Sequence, residues 1–495
     1  MSWNLVTCET DTQINSYYYE HQPLDAVAFS RIPASGAMSL HPIDSRATSE
    51  FIAYGGGGEL ITYVWTTDYA PDQLIDDNRN FTSFVEEGVT VVNTEDYGNY
   101  TYAKVVEVID DTTLRLDTDI MDDGDEYEIR SSRVYIRRTS DWGMETVLTD
   151  PDDEITSLSW SPDSDLLAVG SADTNVYIYS KSTFTLMATI TDSDDEINVV
   201  QYTDSDPNNN TPNLVTGDDS GNLRNYLPED YLTQTIETDA WDIYDISTAT
   251  ILDPLGKYMW VADSDGGNCY QYDEGSYTWE EEWTHAFGGD GTECIDTKYV
   301  LQSELSNMIG MVMSAYNTWE GDGYGGNLRV NWGSGDFEEF DSEWDAGWPT
   351  NDSIKDTKLS WDVRFAAFAG YDAVYIHNAR SHDHSRATTI DGPSSISVID
   401  FSYNDNWLAI AGYYGELCIY EVPRKDLYIK AETASGIEEL NVEQLENLWA
   451  DDDYPVRLQV DEKMCGADTI DPGDAGDSGV RIQVESDTTK SWKVH

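Results

Sequence analysis

The chain says one thing twice. "RVYIRRTSDWGMETVLTDPDDEITSLSW" (133–160) is answered 42 residues later by "NVYIYSKSTFTLMATITDSDDEINVVQY" (175–202), with Val134 over Val176 and Ile155 over Ile197. A unit of that length cannot bury an apolar face alone, so such units stack, and the period constrains the architecture before any single residue does. Each unit has an apolar strand, a loop, a second strand ending in small residues, a polar turn, and a third strand ending in an aromatic. Copies lie at 155–180, 197–227, 243–273, 294–332, 354–378 and 396–422. One more copy is split: "LDAVAFS" (24–30) and "EFIAYGGGG" (50–58) supply two strands, and "RVYIRRTS" (133–140) the third. "VYIYS" and "LCIYE" alternate with period two, the signature of strands.

Four-stranded units of about 40–45 residues are expected to be the blades of a β-propeller. The expected fold is all-β: a seven-bladed β-propeller with a small inserted β-barrel or sandwich module and a small C-terminal α+β appendage. A closed ring needs its last blade completed by the other end of the chain, and "INSYYYEHQ" (14–22) is the expected closing strand. "SWSPDSDLLAVGSADTNVYIYS" (159–180) resembles a WD40 repeat, and the resemblance covers most of residues 14–423. The pattern departs in two places. The Gly-His pair before each first strand is replaced by "DPDDE" and "DSDDE", and the Trp-Asp ending appears as Tyr179, Tyr272, Trp332 or Tyr420.

The expected boundaries are 1–58 for the closing strand and the first part of blade 1, 59–132 for the inserted module, 133–423 for the rest of the propeller, and 424–495 for the appendage. In the insert, "VTVVN", "AKVVEVI", "TLRLD" and "YEIR" read as short strands between polar turns. Residues 74–130 are similar to a small β module of structural proteins in tailed viruses of bacteria and archaea. Leu74, Ile75, Asp76, Phe81, Val108, Leu114, Leu116, Gly124, Asp125, Tyr127 and Ile129 hold the places of its motif. A generic β insertion in a cellular propeller is the alternative. In the tail, "NVEQLENLWA" (441–450) reads as a short helix, capped by Asn441 with Gln444 three residues on. "PVRLQVDE" (455–462) and "GVRIQVES" (479–486) read as strands.

Acidic residues outnumber basic ones 95 to 27, giving a net charge of −68. That much like charge costs self-repulsion in a compact body. At about 1 M salt the Debye length falls to roughly 3 Å, so a protein adapted to molar salt, as in extreme halophiles, is expected. Disorder is excluded, because 39% of residues are hydrophobic and 12% aromatic and they recur in strand order. Nucleic acid is not an expected partner, since phosphate binding needs basic surface. No apolar run approaches the ~18 residues of a membrane span, and the opening residues do not read as a secretory signal. The five cysteines form no CxxC, and their odd number leaves at least one outside any internal disulfide.

No stretch argues for an enzyme. "GDAGDSGV" (473–480) is an acidic turn, not a protease loop. "DSDGGN" (263–268) offers Asp263 and Asp265 at the alternating spacing of a calcium loop. It also falls where each unit has its second turn, and a turn explains it with no metal, so no cofactor is expected and calcium is the alternative. "IHNARSHDHS" brings His377, His382 and His384 close in sequence, a metal motif or an outer loop. "YNTWEGDGYGGN" (316–327) enlarges the same hairpin position that carries the insert, so both belong on one face, and enlargements on one face often mark a binding side. There Trp319 and Tyr324 can stack on sugar rings. Trp279, Trp283, Trp344 and Trp348 are further candidates, with outer-strand packing as the alternative.

Two functions follow. The first is a structural virion protein of a halophilic tailed virus, displayed outside the capsid or tail and binding a host surface protein or glycan. Its partners would be other virion proteins, with homo-oligomers within the particle and no membrane insertion. The second is a WD40-like protein-interaction scaffold in the cytoplasm of a haloarchaeon.

Overall fold

The computed structural model describes residues 3–10, 23–31, 49–83, 85–95, 100–203, 213–226, 233–236, 240–248, 258–264, 266–273, 278–285, 294–300, 309–317, 323–331, 343–344, 354–361, 365–378, 386–393, 395–403 and 405–423, together with five strands of the tail.

The repeat unit is a four-stranded antiparallel sheet in sequence order. Ile155–Trp160, Leu166–Ser171, Val176–Ser180 and Leu186–Ile190 form one, and Ile197–Tyr202, Leu214–Asp218, Leu223–Tyr226 and Thr233–Ile236 the next. Sheets of the same order follow from Ile243–Thr248, from Cys294–Val300 and from Asp356–Leu359. The first strand of each unit lies innermost. Ala26–Phe29, Ile155–Trp160, Ile197–Tyr202, Ile243–Thr248, Cys294–Val300, Asp356–Leu359 and Ile396–Phe401 each pack against the next, and the last packs against the first. This is propeller architecture.

The small residues that end each second strand have a steric cause. A Cβ at Gly170 would stand 2.9 Å from Ile197 Cγ2, and one at Gly217 would stand 2.3 Å from Ile243 Cγ2. Each glycine is the seat for the isoleucine that opens the next sheet's inner strand. The apolar clusters accordingly span neighbouring sheets: Ala168 and Ile178 pack with Ile197, Val200 and Tyr226, and Leu24, Phe29 and Tyr54 pack with Ala409 and Ile419.

Side chains of one inner strand also hold the backbone of the next. The amides of Val200 and Tyr202 donate to the hydroxyls of Ser157 and Ser159 at 3.1 and 3.0 Å. Further round, the amides of Ile295, Leu359, Ile399 and Phe29 donate to Asp245, Asp296, Asp356 and Asp400 at 2.8–2.9 Å.

One expectation is corrected here. The strand that completes the last sheet is Asn4–Thr10, paired antiparallel with Glu416–Glu421, and not residues 14–22, which lie outside the described residues. Cys8 and Cys418 are partners in that ladder and are joined by a disulfide. The pairing is set by a sequence neighbour 410 residues away, which no local pattern reveals.

Between the second and third strands of the split unit, the hairpin runs on. Phe51–Trp65 and Glu126–Arg138 stay paired through the glycines at 55–58 and out into the stretch at 59–132. Shorter strands, among them Thr90–Asn93, Thr101–Asp110 and Thr113–Leu116, extend that ladder around a core of their own, which includes Leu74, Phe81, Val91, Val105, Leu114, Leu116, Tyr127 and Ile129. Asp76 is buried there and accepts the Tyr127 hydroxyl at 2.8 Å. Burial, with Asp76 alongside, pushes that phenol's pKa upward.

Residues 423–495 form a separate compact unit. Its described strands make one antiparallel sheet, in the order Gly436–Leu440, Ile429–Thr433, Arg457–Val460, Arg481–Gln483, Lys493–Val494. The expected helix at 441–450 lies outside the described residues.

Candidate interaction face

Antiparallel order within each sheet sends the turns between second and third strands to the same end as the links between sheets. The turns are 172–175, 219–222, 370–372 and 413–415, with the 59–132 stretch in the equivalent place; the links include 149–154, 191–196 and 240–242.

The acidic links have structural work to do. Asp150 accepts the Tyr179 hydroxyl at 2.9 Å, and Asp192 accepts that of Tyr226 at 2.8 Å. Asp173 accepts the Tyr177 hydroxyl at 2.7 Å and the Asp152 amide at 2.7 Å. Burial first, and the adjoining carboxylates second, raise the pKa of Tyr177 and Tyr179. A phenol–carboxylate hydrogen bond thus ties the third strand of each of these two sheets to the acidic link before it. In the next sheet Ser193 donates to Asp218 at 2.9 Å, and Arg224 forms a buried ion pair with the same carboxylate.

The 59–132 stretch supplies cations to this end. Lys104 Nζ stands 3.3 Å from Asp152 and also reaches the Pro151 carbonyl; Arg130 bridges Glu128 and Asp153. Burial pulls the Lys104 pKa down while Asp152 opposes it, and burial raises Asp152 and Asp153. Other carboxylates crowd together: burial, then Asp219, Asp153 and Asp195, raise Glu196. Asp25 and Glu154 form a buried acid pair in which burial pushes both upward.

Exposed aromatics stand among these charges. Trp241 is 80% exposed, and Tyr244, Tyr371, Tyr413 and Tyr414 are exposed as well. Along the axis runs a cavity of about 230 Å³ lined by every inner strand. There Lys358 Nζ lies 3.0 Å from Asp356 Oδ1 and 3.9 Å from Asp245 Oδ2. Burial works against the Lys358 ammonium, but Asp356, Asp245 and Asp296 overcome it, so its pKa rises well above the ordinary lysine value. Burial raises Asp356, and lifts Asp245 to about 6 against the pull of Lys358.

The residues singled out from sequence fall in different places. Tyr324 lies in Gly323–Asn331, opposite Tyr316. Trp279 and Trp283 lie on Thr278–His285, the outermost strand of their sheet, opposite Tyr272 and Cys269. Trp344 is also on an outermost strand, opposite Gly325. Trp319, Trp348, Asp265, His382 and His384 lie outside the described residues, while His377 is on Ala373–Asn378. Asp263 is buried and accepts the Asn268 side-chain amide. Among the described residues no three His, Cys, Asp or Glu side chains are grouped to hold a metal ion.

The exposed Trp241 was missed, although a signal existed. The links "TDPDDE" and "TDSDDE" are acidic throughout, and the next one, "TDAWD", puts a tryptophan where they put carboxylates.

A family model, the WD40 domain of anaphase-promoting complex subunit 4, matches residues 127–205. No curated protein matches the chain. Similar solved structures include the β-propeller domain of Myceliophteria thermophila Cps50 (Swd1), 14% identical, TM-score 0.44, covering 59% of this chain and 91% of that one. Another is a chain of the Mitotic Checkpoint Complex, 14% identical, TM-score 0.46, covering 59% of this chain and 85% of that one. The sheet order above defines the fold as an all-β propeller, and residues 127–205 of it are similar to a WD40 domain.

Proposed function

We propose that the chain is a non-catalytic protein-interaction scaffold, a propeller of seven blades that seats partner proteins on its turn face. The observation that carries this reading is the gathering of exposed aromatics, carboxylates and the 59–132 enlargement at one end of the ring. Aromatic anchors inside a polar rim are the usual make-up of a protein-binding patch. The circuit of inner strands supports the blade count. A separate apolar core supports an inserted module at 59–132, and the separate compact unit supports an appendage beyond the propeller. The WD40 match favours the scaffold over the virion protein as the leading reading.

One observation favours the virion reading, in which Trp319 and Tyr324 would stack on a host glycan. Disulfides persist in oxidising surroundings, and Cys8–Cys418 suits a chain displayed outside the cell better than a cytoplasmic one.

The test is crosslinking of the tagged full chain in a halophilic host, beside a variant with Trp241, Tyr371, Tyr413 and Tyr414 changed to Ala. The scaffold reading expects specific proteins with the wild type and their loss in the variant at unchanged melting temperature. Identical crosslinks from both chains would sink it. Non-reducing mass spectrometry of the same material reports the Cys8–Cys418 bond and so the compartment.

A further inference from the structure

We propose that the cleft beside Trp241 receives a cationic side chain, arginine or lysine, from a basic segment of a partner protein; this rests on the scaffold reading and specifies its partner. The cleft lies between the link 240–242 and the turn 219–222, and it is lined by Asp219, Ser220, Ala240, Trp241 and Asp242.

Its walls are fixed. Gly221 has φ +74°, and a Cβ there would stand 2.1 Å from the Ala240 carbonyl oxygen, so link and turn touch backbone to backbone. The Trp241 amide donates to Ser264 Oγ at 2.9 Å, which pins the tryptophan's backbone while its ring stays exposed. Both carboxylates are oriented from behind: the Tyr244 hydroxyl donates to Asp242 Oδ2 at 3.1 Å, and the Asn198 side-chain amide donates to Asp219 Oδ1 at 3.3 Å. Each carboxylate has further acceptor positions beyond that one bond.

An exposed indole that shares a cleft with two carboxylates matches a guanidinium or ammonium. Tryptophan is the best aromatic partner for a cation, and arginine adds planar stacking. The surrounding field has the same sign, because Asp219, Asp153 and Asp195 lie close enough to add to burial in hindering the ionisation of Glu196. At low salt the net charge of −68 adds attraction for basic segments, while in molar salt only the close contacts in the cleft persist. A neutral sugar could stack on the same ring, but it would gain nothing from the second carboxylate or from the field.

The test uses the full chain at the lowest salt that keeps its native circular dichroism. The probes are a fluorescent nonapeptide carrying two arginines in a Gly/Ser background, the same peptide with citrulline at both positions, and a neutral oligosaccharide. The expected result is measurable binding of the arginine peptide, at least 10-fold weaker binding of the citrulline peptide, and losses of about 5- to 10-fold in Trp241→Ala and Asp242→Asn. Both variants should keep the wild-type melting temperature. No arginine-peptide binding, equal binding of the citrulline peptide, or unchanged affinity in Trp241→Ala overturns the proposal. So does oligosaccharide binding that alone depends on Trp241. If Trp241→Ala retains every crosslinked partner of the wild type, this cleft is wrong and the scaffold stands; if the wild type crosslinks nothing while the peptide binds through Trp241, the scaffold reading is what fails.

Discussion

Replacing Lys358 with Met removes the cation placed beside Asp356 and Asp245 in the axial cavity, at 3.0 and 3.9 Å. Both carboxylates also hold amides of the next inner strand, so they cannot swing away without releasing Ile399 and Ile295. At an effective dielectric of about 20, each contact is worth about 4–6 kcal/mol before desolvation is counted. Breaking a buried pair by deleting one partner typically costs about 3–5 kcal/mol net. For a unit as large as Ser2–Val422 that is a fall in melting temperature of about 3–6 °C at pH 7.5. Because burial lifts Asp245 to about 6, at pH 5 that carboxyl holds its proton and no longer needs the ammonium. The variant's deficit should therefore shrink by about half at pH 5, read by differential scanning calorimetry of both proteins at both pH values. An equal deficit at the two pH values, or one below about 1 °C, would mean that axial water screens the cluster, and the reasoning would fail.

In the wild type, the raised Asp245 pKa means that the folded chain binds more protons than the unfolded one between pH ~4 and ~6, so this group's contribution to stability falls as pH rises through that window, by at most about 3 kcal/mol; denaturant melts at pH 4.5 and 7.5 in equal salt check the sign. Arg130→Gln leaves Asp153 without its ion-pair partner and should lower the melting temperature. Deleting 59–132 removes Lys104 and Arg130 together, so the deletion joined Gly58 to Arg133 should be rescued in part by Asp152→Asn with Asp153→Asn; a rescue of zero would show that the two cations do not stabilise this end. Cys8→Ser should cost about 2–4 kcal/mol, and reductant should destabilise the wild type but not the variant. Circular dichroism from 0.1 to 3 M salt should show folding that strengthens with salt; indifference would remove the halophilic reading.

The sheets were readable because their signals are local and forced. Gly170 and Gly217 are small since Ile197 and Ile243 occupy the space beside them, and that pairing recurs at a fixed period. The closing strand was misplaced because "SYYYE" carries the aromatic bias of a strand, whereas "NLVTCET" is chosen by Cys418 and the free edge of the last sheet. Roles among 95 acidic residues were invisible, because an aspartate that accepts a phenol, such as Asp150, reads like one that faces solvent. Lys358 and Trp241 each stand out only against their neighbours in the repeat, one a cation in an inner strand and the other an aromatic in an acidic link.

The last sheet borrows its outer strand from the far end of the chain, and that sets an order in time. Asn4–Thr10 leaves the ribosome well before Glu416–Glu421, the strand with which it pairs. At about 5–20 residues per second, the wait is on the order of 20–80 seconds. During that interval an extended segment with a cysteine in it is available to wrong strands and wrong thiols. Oxidation before the ring is complete would lock an error in, and oxidation afterwards seals the correct partner. The cell that makes this protein therefore has reason to keep Cys8 reduced, or shielded by a chaperone, until synthesis has passed Cys418.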